Sequence, residues 1–224
     1  THTARCRELL ASSGLPVIET WDTPLDPLGH VVGFSNGDTS AAMVAHLADS
    51  GYRQLGFIGG DAERDPRGAA RRRGFEEAVR AHALPEPALV NAGAPPITVR
   101  EGANAFRRLY ERWPHVEAVL CVSDLSAFGA LSEAQRMGLR VPDDLAVAGF
   151  GAFDIGDVCN PRLTTTDVGA LEIGRRAGAL ALSAIRGEAR EAAHINVPFH
   201  ILHRESTLQR GGPSASRPAG DAAR

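Results

Sequence analysis

Residues 116–151 read "VEAVLCVSDLSAFGALSEAQRMGLRVPDDLAVAGFG", and this stretch decides the fold. An apolar run at 116–122 stops at Ser123-Asp124. Over 124–137 Leu125, Phe128, Leu131 and Met137 recur at helical spacing, and Gly138 closes the turn. A second apolar run follows at 144–151. Both runs are nearly continuous rather than alternating, which predicts strands buried on two faces in a parallel sheet. A helix between two such strands predicts a right-handed crossover. Ligands of these sheets sit at the carboxyl ends of the strands, so Ser123, Asp124 and residues 151–154 are the first to inspect.

Outward from this unit the pattern repeats. Strands are expected at 30–35, 53–60, 87–91 and 163–168, with helices at 38–50, 67–83, 98–112 and 169–186. A last strand is expected across 194–205. The chain opens on a helix carrying Cys6, Leu9 and Leu10, a Ser-Gly stop at 13–14 and a strand "PVIE". Its far end, "RGGPSASRPAGDAAR", is rich in Gly, Pro, Ser and Ala, and 209–224 is expected to be a disordered tail.

The 224 residues suffice for one large domain or two small lobes. Hydrophobic residues at 43% and charged residues at 23% are ordinary for a globular protein. A net charge of −3 leaves no basic footprint for nucleic acid. All 24 cationic residues are arginine, which reads as a coding bias. Cys6, Cys121 and Cys159 are far apart and form no C-x-x-C. A disulfide scaffold and a zinc ribbon are therefore disfavoured, and a cytoplasmic location is expected. No run is long and apolar enough to span a bilayer, no signal peptide opens the chain, and no membrane partner is expected.

Several candidate sites compete. "GFSNG" at 33–37 matches the G-x-S-x-G nucleophile elbow, with Asp154 or Asp167 and His200 following in hydrolase order. Few residues precede it, no HGGG-type segment is present, and Asn36 or Asp38 could simply cap the next helix. "GFGAFD" at 149–154 is not G-x-G-x-x-G, and no Walker loop occurs. His200 and His203 point to opposite faces of a strand, so no metal and no catalytic group is expected, and no cofactor. The arginines at 64, 67, 71, 72 and 73 mostly read as a solvated helix face. Arg67 and Arg71 differ: they lie four apart, at the start of a helix that follows strand-end Gly60, where a guanidinium can reach a crevice and hold an anion.

The segments "GYRQLGFIGG…RRRGFEEAV", "VEAVLCVSDLSAFGALSEAQRMGLRVPDDLAVAGFG" and "NPRLTTTDV" resemble the effector-binding domain of the lac-repressor family of transcription regulators, in its gluconate-utilisation branch. The resemblance runs from about residue 1 to 208. It implies an α/β fold of two Rossmann-like lobes with parallel sheets, like the type I periplasmic binding proteins, joined by three crossings. It implies an N-terminal lobe, incomplete here, of 1–35 and 162–190, and a C-terminal lobe of 36–161 and 191–208. It further implies a homodimer whose DNA affinity is set by a small-molecule effector, a sugar acid such as gluconate or a sugar. DNA would be contacted only through a helix-turn-helix absent from this sequence. Carried over residue by residue, the effector contacts are Arg71, Ser123 (many relatives have Asn) and Asp124, with Asn36, Phe153 and Asp154 as further candidates. Many sugar- and purine-binding members carry a carboxylate where this chain has Gly151, and its loss fits an acidic ligand. Ser35-Asn36 then becomes a hinge and cleft-rim turn. The alternatives are a serine hydrolase using Ser35 and a periplasmic sugar-binding protein of the same fold.

Overall fold

A computed structural model describes residues 2–60, 64–188 and 191–208. The expected tail at 209–224 lies outside the described residues. Nine strands form two sheets among these residues. The larger sheet has six, built on the apolar runs: β3 (Leu55–Gly59), β4 (Ala88–Asn91), β5 (Ala118–Cys121), β6 (Ala146–Phe150), β7 (Thr164–Asp167) and β9 (His200–Leu202). Their order is β4-β3-β5-β6-β7-β9. The smaller sheet sets β1 (Ile18–Thr20), β2 (His30–Gly33) and β8 (His194–Asn196) side by side, all parallel.

Helices α2 (Asn36–Asp49) and α3 (Pro66–Ala81) cover one face of the larger sheet. Helices α4 (Val99–Arg112) and α5 (Asp124–Arg136) cover the other. The first core joins Met43, Leu47, Phe57, Phe75 and Leu120. The second joins Ile58, Phe106, Leu109, Val119 and Leu145. Gly74 lets α3 lie against the backbone of α2, since a Cβ there would run into the carbonyl of Gly37. The small sheet packs through Val32, Phe34, Val168, Ile173 and Val197 against α7 (Ala170–Ile185). α1 (Ala4–Ser12) buries none of its residues.

The chain passes between the sheets three times: at 34–35 from β2 into α2, at 168–169 from β7 into α7, and at 197–199 from β8 into β9. The division into lobes drawn above differs from this in two places. Strand β7, allotted to the N-terminal lobe, pairs with β6 in the larger sheet. Strand β8, allotted to the C-terminal lobe, pairs with β2 in the smaller one. The single strand expected over 194–205 is therefore two, split by Val197-Pro198-Phe199. β9 also breaks the expected parallel rule, pairing antiparallel with β7 (Thr165 opposite Leu202). Leaving β8, the chain enters the larger sheet at the carboxyl end of β7, with His200 opposite Asp167, and so runs back along it.

Candidate functional site

Strand β2 ends at Gly33, and Ser35 turns the chain into α2. Its Oγ accepts the backbone N–H of Asp38 at 3.2 Å, so Ser35 itself is the N-cap. Neither Asn36 nor Asp38 caps, contrary to the expectation above. Among the described residues no hydrogen bond joins Ser35 to a histidine, and its hydroxyl serves the helix end rather than a base.

With the cap supplied by Ser35, the Asn36 side chain is free to turn inward, where it is buried. Its Nδ2 donates to the Trp21 carbonyl and to Asp22 Oδ1, both at 3.1 Å. Its Oδ1 accepts from Arg71 Nη1. Trp21 and Asp22 continue from the carboxyl end of β1, whereas Arg71 rises from α3. Asn36 therefore ties the two lobes together beside the first crossing. The Arg71 guanidinium lies over the Phe150 ring, 4.3 Å from its centroid, a cation–π contact. Phe150 in turn meets Phe34 at 6.0 Å, and Phe34 meets the edge of Trp21 at 6.5 Å.

Arg71 Nε is shielded from solvent and has no hydrogen-bond partner among the described residues. A buried donor without a partner is costly, and each such exception calls for a partner or a function. Burial lowers the Arg71 pKa to about 10, with Asp65 and Asp22 pulling it up and Arg67 pulling it down. It remains a cation at neutral pH. Arg72 by contrast pairs with Glu76 on the outer side of α3, as a solvated face should.

The remaining expected contacts divide. Ser123 caps α5 in a reciprocal box with Ser126. Asp124 is fully buried and both of its oxygens are engaged: Oδ1 accepts from Thr165 Oγ1 at 2.6 Å and Oδ2 from the Phe153 N–H at 2.7 Å. Burial pushes its pKa up, against those hydrogen bonds, which pull it down. In this structure Asp124 braces the turn that follows β6. Phe153 is 44% exposed on that turn. Asp154 is exposed, with its carboxylate on the Ile155 N–H at 2.9 Å. Of the six expected residues, Arg71 is joined to Asn36 through side chains and Asp124 to the backbone of Phe153.

Sequence reasoning missed Trp21 and Asp22. Inspecting the end of "PVIE" as the other strand ends were inspected would have found them. An open groove of about 1820 Å³ flanks the cluster, reaching Asp22, Asn36 and Arg67 but not Arg71 or Phe150. The chemistry lies at its edge, where the unpaired donor and the inter-lobe bridge are. Among the described residues no group of three His, Cys, Asp or Glu side chains converges for a metal.

Residues 44–207 match the periplasmic binding protein-like domain family. The chain is 32% identical over 202 residues to the HTH-type transcriptional regulator GntR of Escherichia coli K12, covering 90% of this chain and 60% of that protein. A LacI family transcriptional regulator from Silicibacter pomeroyi superposes with a TM-score of 0.84 at 34% identity, covering 93% of this chain and 75% of that one. The transcription regulator GntR from Chromobacterium violaceum gives 0.83 at 31%, covering 92% and 75%. The chain thus spans 60% of the length of the curated regulator it matches. No described helix is long and apolar enough to cross a membrane.

Proposed function

From a chain that belongs to the periplasmic-binding-protein-like domain family, in the form carried by LacI-family transcription regulators, we propose a ligand sensor. It takes a sugar acid such as gluconate, or a related sugar, between its two lobes. Arg71 supplies the anchor. Its unpaired Nε, beside the Nη1 that already serves Asn36, is the observation that carries this reading. A ligand carboxylate placed there satisfies the buried donor and neutralises the guanidinium in one step. Gly151, next to the Phe150 on which the guanidinium lies, offers no carboxylate to repel it.

Ligand binding would favour one relation of the lobes over another, because the anchor stands on α3 while Trp21 and Asp22 belong to the small sheet. In the whole protein, acting as a homodimer, that preference would set the affinity for DNA. The coupling requires different ligand contacts in the two states. The helix-turn-helix named in the curated relative would supply the DNA contact. The resemblance to the gluconate-utilisation branch supports trying gluconate first.

Calorimetric titration of the 224-residue chain with D-gluconate tests the reading. Saturable binding is expected, and Arg71→Ala should weaken it roughly tenfold to a hundredfold, the range for losing a charged hydrogen bond. Binding that survives Arg71→Ala unchanged, or no thermal stabilisation by any of a panel of sugar acids, sugars and purines, would overturn it.

A further inference from the structure

Arg71, just beyond the edge of the groove, is only half of a charged pair beside the first crossing. Asp22 faces it across Asn36, close enough that its charge raises the Arg71 pKa. Both hydrogen bonds given to the Asp22 carboxylate are on Oδ1, from the Thr23 N–H at 2.9 Å and from Asn36 Nδ2 at 3.1 Å. Asp22 also lines the open groove. Its backbone is held in place: Trp21 before it sits at φ 72°, and a Cβ on Gly33 would collide with the Asp22 carbonyl, so β2 presses directly against this turn.

The two charged groups make opposite demands. A guanidinium only donates hydrogen bonds, and an ionised carboxylate only accepts them. A ligand touching both needs an acceptor at one end and donors at the other. A simple carboxylic acid has only the acceptor, and Asp22 repels it. A hydroxylated acid has both.

We propose that Asp22 is the specificity residue of the cleft, reading a hydroxyl of the ligand whose carboxylate Arg71 holds. The acceptor missing at Gly151 is thus supplied from the other lobe, by the turn after β1. The inference rests on the sugar-acid reading above and adds to it the residue that separates hydroxylated acids from plain ones. It also makes the contact span the lobes, since Asp22 and Arg71 stand on different ones.

The test compares D-gluconate with hexanoate, six-carbon acids with and without hydroxyls, by calorimetry on the 224-residue chain. The native chain should favour gluconate. Asp22→Ala should lower the gluconate-to-hexanoate affinity ratio by about tenfold or more, the loss of one charge-assisted hydrogen bond. Hexanoate affinity should hold or improve as the like charge disappears. Asp22→Asn keeps an oxygen for Asn36 and Thr23, and so guards against a collapsed turn. It should lower the same ratio by less, with an unchanged melting temperature. Equal weakening of both acids would make Asp22 a mere brace for Asn36 and end the proposal, with the cleft reading intact. So would Asp22 variants that match the native chain while Arg71→Ala abolishes binding. If the native chain binds neither acid, both readings fall together.

Discussion

The two sheets of this chain are built from similar elements and held very differently. Six strands, four covering helices and two cores make up the larger lobe, where Tyr52, Phe57, Phe75, Phe106 and Leu131 are all at most 2% exposed. Among the described residues the smaller lobe has three strands and one five-residue core. Its helices leave Leu9 60%, Leu171 89% and Ile185 72% exposed. Apolar burial sets local stability, so among the described residues the larger lobe is the better held of the two. The proposed site joins the two. Arg71 stands on the better-held lobe, and Asp22 stands on the other.

The largest expected effect probes that contrast directly. Phe57→Ala removes a ring packed 5.2 Å from Phe75 in the larger core and should cost about 3–5 kcal/mol in denaturant unfolding. Phe34→Ala in the smaller core should cost less, and amide exchange in β1 and β2 should be faster than in β3 and β5. A Phe34 penalty equal to that of Phe57 would break the comparison.

Acid should narrow the gap, because the larger lobe hides a titratable weak point. His46 on α2 packs its ring 4.5 Å from that of His203 and meets Thr207 Oγ1 at 2.8 Å. Burial, then the His203 charge, lower its pKa to about 4, with Asp49 opposing. In the unfolded chain it titrates near 6.5, so between 6.5 and 4 the unfolded state binds more protons and stability falls as pH falls. After discounting for solvent screening, the loss should be about 1–2 kcal/mol. His46→Gln should flatten the slope of stability against pH in that window. An unchanged slope would place the acid sensitivity elsewhere.

The smallest effect concerns Ser35. Ser35→Ala removes the N-cap of α2 and should cost about 1 kcal/mol. Neither the native chain nor the variant should hydrolyse a p-nitrophenyl ester. Serine-dependent turnover would restore the hydrolase reading.

Much of the larger lobe was legible because its strands are apolar on both faces, and such runs announce themselves without alternation. The final crossing was not. "HINVPFHIL" stays apolar and extended straight through it, so nothing at 197–199 marks the passage between sheets except Pro198. β7 reads as a strand, but the lobe that the resemblance gives it is not the one whose sheet it joins, and nothing in "LTTT" marks the difference. Its threonines are buried because partners satisfy them, Thr164 Oγ1 through Thr207 Oγ1 and Thr165 Oγ1 through Asp124. At the site, the i, i+4 spacing after Gly60 pointed to Arg71. Asp124 shows the limit of that logic. A carboxylate at a strand end can face a ligand or brace a neighbouring loop, and only the positions of Thr165 and Phe153 separate the two. Asp22 follows a strand of three residues, too short to draw attention.

The contact of α2 with α3 at Gly37 and Gly74 bears on how this sequence can change over time. Backbone there meets backbone, so no side chain sets the spacing between the two helices, and none can reset it by growing or shrinking. Arg71 stands one turn before that contact and Asn36 one residue before it. Substitutions on the outward faces of both helices can therefore accumulate while anchor and bridge keep their separation. The spacing of anchor and bridge is inherited from one missing methyl group, that of Gly74.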